Sequence, residues 1–340
     1  MLLDIVAIIA GFVLLVWGAD RFVSGASSIA NNLGLPPMII GLTIVGLGTS
    51  APEILVSTMA AIQGNPGLAI GNSIGSNIAN IGLILGITAL IAPLVVRSET
   101  LRREYPVLLA VSLGTLLLLM DGELGRLDGV ILLAGLVGLL YAMVRISMGS
   151  RASDPMTAEI LAEMPEAMST GRAVVNFTLG LALLLFSSRI LVWGAVNIAT
   201  EFGVSDLVIG LTIVALGTSL PELAASIASA LKKEHDIAIG NVLGSNMYNL
   251  LAVLAVPGLL APGAFDPQVL SRDMVMMIGL TLALFIMGYG FGGSGRINRL
   301  EGLLLLLAFI SYQAVLFSDS AENQPGTAAA YHSTELHRAS

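Results

Sequence analysis

The chain has 340 residues, of which 56% are hydrophobic and only 11% charged, and its mean hydropathy is +0.90. A soluble domain has roughly 25% charged residues, so this composition excludes an ordinary water-soluble enzyme. The formal net charge of −8 provides no basic surface for nucleic acid, and the lack of cysteine excludes disulfides, thiolate metal sites and cysteine nucleophiles.

Apolar segments long enough to cross a membrane follow one another along the chain. A crossing needs about 20 residues, and these runs lack strict polar alternation, so they predict an all-α polytopic membrane protein and disfavour a β-barrel. The ten predicted transmembrane helices lie near residues 2–30, 37–62, 68–92, 104–120, 127–147, 173–200, 206–231, 237–261, 272–290 and 299–317.

A polar, acidic stretch separates two groups of five predicted helices. The first group occupies residues 1–147, the connection residues 148–171 and the second group residues 172–317, whereas residues 318–340 are expected to form a disordered tail. Ten of the 15 basic residues lie in connections after odd-numbered helices and three on the opposite side. This bias predicts a cytoplasmic central connection, with both termini on the extracellular or periplasmic side of the cell (inner) membrane.

The two groups of helices contain an internal repeat at an offset of 169 residues. GLTIVGLGTSAPEILVS at 41–57 matches GLTIVALGTSLPELAAS at 210–226, and AIGNSIGSNIAN at 69–80 matches AIGNVLGSNMYN at 238–249. From residue 41 to 80, 21 of the 40 aligned positions are identical, and most of these are Gly, Thr, Ser, Pro, Glu or Asn. Because each group has five helices, the repeats are predicted to be inverted, as in secondary transporters with a substrate site near the membrane midplane.

Each repeat places one glutamate deep inside a predicted helix. Glu53 and Glu222 lie about 24 Å into helices of roughly 38 Å, so both are expected well inside the hydrocarbon region. A carboxylate there should face the protein interior and have a partner, but neither helix has a cation within a turn or two. Two such acids meeting at a pseudo-symmetry axis predict a site for a hard divalent cation.

Each glutamate follows a proline and a Gly-Thr-Ser segment, at residues 48–52 and 217–221. Proline lacks a backbone donor and disfavours helical geometry at the preceding residue, so the helix is expected to break there and free the carbonyls of 46–50 and 215–219. Carbonyls, carboxylates and hydroxyls form an all-oxygen set, which suits Ca²⁺ with its 6–8 oxygen ligands. The hydroxyl groups of this segment belong to Thr49, Ser50, Thr218 and Ser219.

The next predicted helix of each repeat supplies a second polar wall. Neutral amide and hydroxyl oxygens there suit Na⁺ beside a shared carboxylate. The residues with expected ligand roles are Ser76, Asn80, Ser245 and Asn249. Residues that fit structural hydrogen bonding equally well are Asn72, Asn77, Asn241 and Asn246, whereas Ser57 and Ser226 fit packing.

The motifs GTSAPE and GTSLPE, each followed by GNxxGSNxxN, resemble the cation/calcium exchanger superfamily, and the chain is similar to prokaryotic sodium/calcium exchangers of the YrbG type. The resemblance implies a ten-helix fold in which helices 1 and 6 slide across a rigid core. It also implies that Glu53 and Glu222 bind Ca²⁺ centrally, with the carbonyls of Thr49 and Thr218. The implied outer sodium site uses Ala215, Thr218, Ser219, Ser245 and Glu222, the inner one Gly46, Ser50, Ser76 and Glu53, and the middle position Asn80 and Asn249.

One departure from the family pattern concerns the counter-ion. Several sodium-coupled relatives have an aspartate at the position of Asn249, whereas here Asn80 and Asn249 are both neutral and the site carries a charge of −2 at most. Proton/calcium members of the superfamily carry a GNxxE core. This chain has GTSxPE instead, which favours Na⁺ as its counter-ion. The sequence predicts a calcium/sodium antiporter, with a proton/calcium (or other divalent cation) antiporter as the alternative.

Two further classes of protein could use paired intramembrane acids. A calcium channel could have an acidic ring, but the inverted repeat and the broken helices favour a carrier. An intramembrane hydrolase would need a motif such as GxGD or HExxH, and the chain contains neither, so no enzymatic activity is expected. We expect a lipid bilayer, Ca²⁺ and Na⁺ as partners, no other cofactor, no nucleic acid, and function as a monomer.

Overall fold

The computed structural model describes residues 1–34, 46–96, 99–149, 168–231, 233, 235–289 and 295–322. Within these ranges, six helices are long and apolar enough to cross a membrane, and a pair of helices bent by 42° adds a seventh. The prediction of a polytopic helical membrane protein is therefore confirmed. The count of ten crossings stays a prediction, because the predicted second helix lies partly outside the described residues.

The described residues of the first half form seven helices and two short strands. They are α1 (Leu2–Asn32), α2 (Gly46–Thr49), α3 (Ala51–Ile62), α4 (Pro66–Ala79), α5 (Gly86–Ile91), β1 (Leu94–Val95), α6 (Glu99–Leu119), β2 (Glu123–Leu124) and α7 (Arg126–Gly149). A π-helical segment, Asn80–Leu85, joins α4 to α5 in one continuous apolar span.

Eight helices and two short strands are formed by the part of the second half that the structure describes. They are α8 (Thr170–Phe202), α9 (Asp206–Ile209), α10 (Ala215–Thr218), α11 (Leu220–Leu231), α12 (His235–Tyr248), α13 (Ala255–Leu260), β3 (Gly263–Ala264), α14 (Val275–Tyr289), β4 (Arg296–Ile297) and α15 (Arg299–Glu322). Its π-helical segments are Gly210–Val214, Asn249–Val253 and Val269–Met274.

Four helices of the first half recur in the second at the offset of the sequence repeat. The helices α2, α3, α4 and α5 each begin and end 169 residues before α10, α11, α12 and α13. The π-helical segments that follow α4 and α12 begin at equivalent residues, Asn80 and Asn249. The two halves therefore share identical residues and also have breaks in their helices at equivalent positions.

The long helices α1 and α8 pack antiparallel along most of their length. Gly11 lies against Leu191, and Gly25 lies against the backbone of Phe177 near the other end of the pair. A methyl group added at Gly25 would meet the backbone nitrogen of Phe177, so the two backbones are as close as glycine allows. Side-chain hydrogen bonds also join the helix ends, from Asn197 to Asp4 (2.8 Å) and from Asn32 to the carbonyl of Met168 (3.0 Å).

The two halves are interleaved in the rest of the molecule. The helix α4 packs against α9 and α10, while α12 packs against α2, and α15 packs against α5. Strand β1 pairs antiparallel with β4, and β2 pairs antiparallel with β3, so each two-stranded sheet takes one strand from each half. The polar helices α4 and α12 therefore lie in the middle of the molecule, next to the broken helices.

The last helix continues beyond its predicted end. The tail was expected to begin at Ser318, but α15 extends to Glu322, and residues 323–340 lie outside the described ranges. A carboxylate oxygen of Asp319 lies 3.0 Å from Arg272 Nη1, and this ion pair ties the end of α15 to the π-helical segment before α14. The greater part of the predicted central connection, residues 150–167, also lies outside the described ranges.

Candidate cation site

The two repeated glutamates occupy equivalent positions at the start of α3 and α11. Each lies in the first helical turn, where unpaired backbone N–H groups favour a negative charge. The side chains of Glu53 and Glu222 are only 1% exposed. The carboxyl group of Glu53 interacts electrostatically with that of Glu222 and with the hydroxyl of Thr218. The structure thus brings together the acids of the two halves.

Neither glutamate has a basic partner in the part of the chain that the structure describes. The ion pairs found there involve Asp4, Glu201, Asp273 and Asp319 instead. The same ranges contain no group of three or more acidic, histidine or cysteine side chains able to hold a metal ion. A cation between Glu53 and Glu222 would therefore need neutral oxygen atoms to complete its coordination.

The helix break at each Gly-Thr-Ser segment is narrower than predicted. Only Ser50 and Ser219 leave helical geometry, with ψ of 6° and 4°, and the next helix starts at the following residue. The carbonyls of Ser50, Ala215 and Ser219 accept backbone hydrogen bonds of 3.1–3.2 Å, so the expectation that they are free is wrong. A break of one residue is enough to accommodate Pro52, which has no backbone N–H. Each of these carbonyls keeps a second lone pair that can bind a ligand.

Several buried oxygen atoms of the predicted site have no hydrogen-bond partner. In native proteins such atoms are rare and need an explanation, for example a missing ion or water molecule. Within the described residues they include Ser50 Oγ, Glu53 Oε2, Ser76 Oγ, Asn80 Oδ1, Ser219 Oγ, Glu222 Oε2 and Asn249 Oδ1. All seven belong to the set predicted from the sequence, although buried atoms without a partner, such as Ser27 Oγ and Thr88 Oγ1, also occur elsewhere in the described residues.

Three of the other predicted ligands, Ser245, Thr218 and Ala215, already have hydrogen-bond partners. Ser245 Oγ donates to Glu222 Oε1 at 3.4 Å, so the serine and the glutamate of the second half are adjacent. The hydroxyl of Thr218 lies 3.1 Å from the carbonyl of Val214, and the carbonyl of Ala215 accepts from Ser219 N at 3.2 Å. Thr49 is half-buried, and Gly46 begins α2, where its carbonyl is the only group it could offer.

Asn72 links the walls of the site by hydrogen bonds to three residues of two helices, α3 and α10. Its Nδ2 donates to the carbonyl of Glu53 at 3.2 Å and to Ser57 Oγ at 2.9 Å. Its Oδ1 lies 3.2 Å from the hydroxyl of Thr218, in the other half of the chain. Of the two roles left open for Asn72, the structure supports hydrogen bonding that positions α3 and α10 against α4.

Two further hydrogen bonds join the polar helices across the halves. Asn80 Nδ2 donates to Asn246 Oδ1 at 2.9 Å, and Ser73 Oγ donates to the carbonyl of Asn249 at 2.6 Å. Ser73 was missed in the sequence because its counterpart in the repeat is Val242, so comparison of the halves gave no signal. A buried serine one residue after Asn72 was the only available indication.

Comparison with known proteins identifies relatives over nearly the whole chain. A sequence model of the family described as "Sodium/calcium exchanger protein" matches residues 3–145 and 172–318. The "Putative antiporter CaxA" of Alkalimonas amylolytica is 53% identical over 318 residues, which are 94% of this chain and 100% of that protein. The "Inner membrane protein YrbG" of Escherichia coli (strain K12) is 41% identical over 321 residues, which are 93% of this chain and 98% of that protein.

A solved structure also resembles this fold. The sodium-calcium exchanger NCX_Mj, soaked with 100 mM Na⁺ and 10 mM Sr²⁺, superposes with a TM-score of 0.64 at 33% sequence identity. The superposition covers 92% of this chain and 98% of that chain. The similarity therefore includes the broken helices and the polar helices that carry the predicted site.

Proposed function

Because this chain belongs to the sodium/calcium exchanger family, we propose that it is a secondary antiporter that exchanges Ca²⁺ for Na⁺ through Glu53 and Glu222. The observation that carries this proposal is a pair of buried acids that have no basic partner among the described residues. The predicted ligand set also contains seven buried oxygen atoms without a hydrogen-bond partner, two of which belong to these acids. Two carboxylates and surrounding neutral oxygens match the 6–8 oxygen ligands of Ca²⁺. Magnesium fits less well because it tends to keep its waters.

The same oxygens divide into positions for the competing cations. We assign Ca²⁺ to a central position between the two glutamates, with the carbonyls of Thr49 and Thr218. Because Na⁺ carries a single charge, one carboxylate among neutral oxygen atoms is enough to bind it. We therefore assign one sodium site to each half. The outer sodium site comprises Ala215, Thr218, Ser219, Ser245 and Glu222, the inner one Gly46, Ser50, Ser76 and Glu53, and the middle position Asn80 and Asn249.

The burial of the acid pair provides a reason for exchange instead of leak. Two bare carboxylates in a low-dielectric interior are strongly unfavourable, so the empty site should resist the change of access from one side to the other. Bound cations neutralise the pair and permit that change. Both ions then cross only when bound, and each replaces the other at the same two side chains. No enzymatic step and no further cofactor is part of this mechanism.

The repeat supports an arrangement of ten transmembrane helices in two inverted halves, residues 1–147 and 172–317. In this arrangement residues 148–171 form the cytoplasmic connection and both termini lie outside. The complete set of proposed ligands belongs to one chain, which supports function as a monomer. Basic residues concentrated on one side of the membrane support the same orientation.

The counter-ion can be identified with purified protein in sealed vesicles. Uptake of ⁴⁵Ca²⁺ should start when the vesicles contain Na⁺ and the outside contains choline, with equal pH on both sides. A pH gradient without Na⁺ should drive little uptake. Uptake driven by the pH gradient alone would instead support the proton/calcium alternative, in which protons neutralise the same acids. Sustained Ca²⁺ flux without any counter-ion would contradict an antiporter and indicate a channel.

The role of the acid pair can be tested separately by Glu53→Gln and Glu222→Gln. Each change removes half of the site charge while keeping the side-chain shape. Ca²⁺ exchange should fall at least 100-fold, since removing one partner of a buried ion pair costs about 3–5 kcal/mol. Glu123→Gln, at an exposed position in β2, is the matched control and should exchange normally. Normal Ca²⁺ exchange by either buried-site variant would refute the assignment.

A further inference from the structure

A cavity of about 430 Å³ opens between α1 and the beginning of α8, away from the acid pair. It is lined by Arg21, Met168, Gly171, Arg172, Val175 and Asn176. Two of these side chains are positively charged and none is negatively charged. The cavity therefore has the electrostatic character of an anion site, which the proposed exchange of cations does not use.

The guanidinium groups in this cavity have little else to bind. Arg21 Nη1 lies 3.5 Å from Asn176 Oδ1, at the long limit of a hydrogen bond, and the buried Arg21 Nε has no partner. Among the residues that the structure describes, neither Arg21 nor Arg172 forms an ion pair. The guanidinium group of Arg21 also packs over the ring of Trp17, with 5.5 Å between Arg21 Cζ and the ring centroid.

The position of the cavity along the helices matches the level of lipid headgroups. The middle residues of α1 and α8 are residues 17 and 186, and the two helices cross near their centres, where Gly18 lies against Leu184. At 1.5 Å per residue, Asn176 lies about 15 Å and Arg172 about 21 Å from that centre. Half of the hydrocarbon core is about 15 Å, so Asn176 and Arg172 lie at its boundary or beyond it. The Cα atom of Arg21 lies only about 6 Å from the centre, and its side chain extends to Asn176, which brings the guanidinium group closer to that boundary.

The surface beside the cavity is apolar and exposed. Val174, Val175 and Leu179 of α8 are 48%, 62% and 42% exposed, and Trp17 of α1 is 44% exposed. This surface can contact acyl chains while the arginines contact a headgroup. A free phosphate ion would use the arginines alone and would leave these apolar groups without a role.

We infer that this cavity between α1 and α8 binds the phosphate group of an anionic phospholipid through Arg21 and Arg172. The phosphate oxygens accept hydrogen bonds from the two guanidinium groups, and the acyl chains lie against Val175 and Leu179. Arginine suits this role because its planar group offers several donors to one phosphate. The lipid joins α1 to α8 at the end where Asn32 already contacts Met168.

Native mass spectrometry of the full-length protein can test this inference with dioleoyl phosphatidylglycerol as the probe. The protein should bind this lipid more tightly than dioleoyl phosphatidylcholine. Arg21→Gln and Arg172→Gln should each weaken the apparent affinity about fivefold, and the double change about 25-fold. Arg21→Lys should keep most of the affinity, which separates loss of charge from misfolding. Arg145→Gln, at an exposed position near the end of α7 and outside the cavity, is the matched control and should bind normally.

Three results would overturn the inference. Equal affinity for the neutral and the anionic lipid would show that the arginines do not read the headgroup charge. Equal weakening by Arg145→Gln would indicate general surface attraction instead of a cavity. Displacement of phosphatidylglycerol by millimolar inorganic phosphate would assign the cavity to a soluble anion. None of these measurements depends on transport, so the outcome is independent of the proposed exchange function.

Discussion

Two buried polar residues on α4 illustrate how differently neighbouring side chains can serve one site. Asn72 uses both its amide nitrogen and its oxygen within the protein, whereas Ser76, one turn later on the same face, has a hydroxyl without a partner among the described residues. A buried polar group with a hydrogen-bond partner stabilises the fold, whereas one without a partner is a candidate for binding a ligand. The two positions should therefore respond differently to the removal of their polar atoms.

Asn72→Ala is expected to lower the stability of the protein by about 1–3 kcal/mol, because it leaves buried partners such as Ser57 Oγ without their hydrogen bonds. Ser76→Ala should leave stability in sodium-free buffer unchanged or higher, since it removes an unsatisfied group. It should also reduce the additional stabilisation by Na⁺. Midpoints of thermal unfolding in choline and in Na⁺ measure both effects. Identical responses of the two variants would contradict the distinction.

At the residue scale, the pattern of identities in the repeat predicted the polar residues that the proposed site uses. Glu53 and Glu222 could be found because a buried acid in both halves, without a nearby cation, has no packing explanation, and Ser50, Ser76, Ser219 and Ser245 because they recur in the same motifs. The hydrogen bonds of Asn72 could not be predicted, because they depend on the relative rotation of α3, α4 and α10. The partners of the Ala215 and Ser219 carbonyls depend on backbone geometry, which residue types do not encode at that resolution.

The crossing of α4 with the helix segments before α11 holds the site at the scale of elements. A methyl group at Gly75 would lie 2.7 Å from Leu211 Cα and 2.9 Å from Ala215 Cβ. Gly71 is equally restricted, because a methyl group there would meet the backbone of Leu207. The two glycines let α4 approach the other half closely enough for Asn72 to reach Thr218.

Gly75→Ala should therefore destabilise the protein by about 1–3 kcal/mol, the usual cost of overpacking. The displaced Ala215 should also lower the rate of Ca²⁺ exchange. Gly279→Ala is the matched control, because this exposed glycine within α14 has no described atom within 4 Å of the added methyl group. It should keep its activity and gain slightly in stability, as alanine favours helix. Equal stability of both variants would argue against close packing at Gly75.

The apolar runs predicted the ends of α1 and α8 to within three residues, but the π-helical segments, the four short strands and the last residues of α15 were not foreseen. The π-helical segments at Asn80 and Asn249 widen a helix by one residue per turn, a change too small to alter hydrophobic periodicity. The extension of α15 to Glu322 was missed because its sequence is polar. The ion pair of Asp319 with Arg272, 47 residues earlier, provides the tertiary contact that compensates.

At the scale of the whole molecule, the two small sheets lie at connections that the predicted orientation places on opposite sides of the membrane. Strands β2 and β3 belong to connections predicted to be outside, and β1 and β4 to connections predicted to be cytoplasmic. The inverted arrangement requires this division, because equivalent connections of the two halves must face opposite sides. Labelling can test it without background, since the chain has no cysteine.

In right-side-out membrane vesicles, the cysteine introduced by Glu123→Cys should react with a membrane-impermeant maleimide added outside. The one introduced by Arg296→Cys should react only after permeabilisation. Both positions are exposed, so their reactivity reports sidedness and not burial. Reaction of both from the outside would contradict the inverted arrangement, and the reverse pattern would contradict the predicted orientation. The unmodified chain is the control and should remain unlabelled.

The pairing of β1 with β4 also has a consequence for biosynthesis. Leu94 pairs with Ile297, a residue that is synthesised some 200 positions later. In the same way, α5 packs against α15, which is synthesised much later. A ribosome must translate almost the entire message before the early segments find their final neighbours. The nascent chain therefore sits in the bilayer as an incomplete intermediate, with polar stripes that lack their counterparts. Truncation near the C-terminus should harm assembly of the whole protein, including the parts synthesised first.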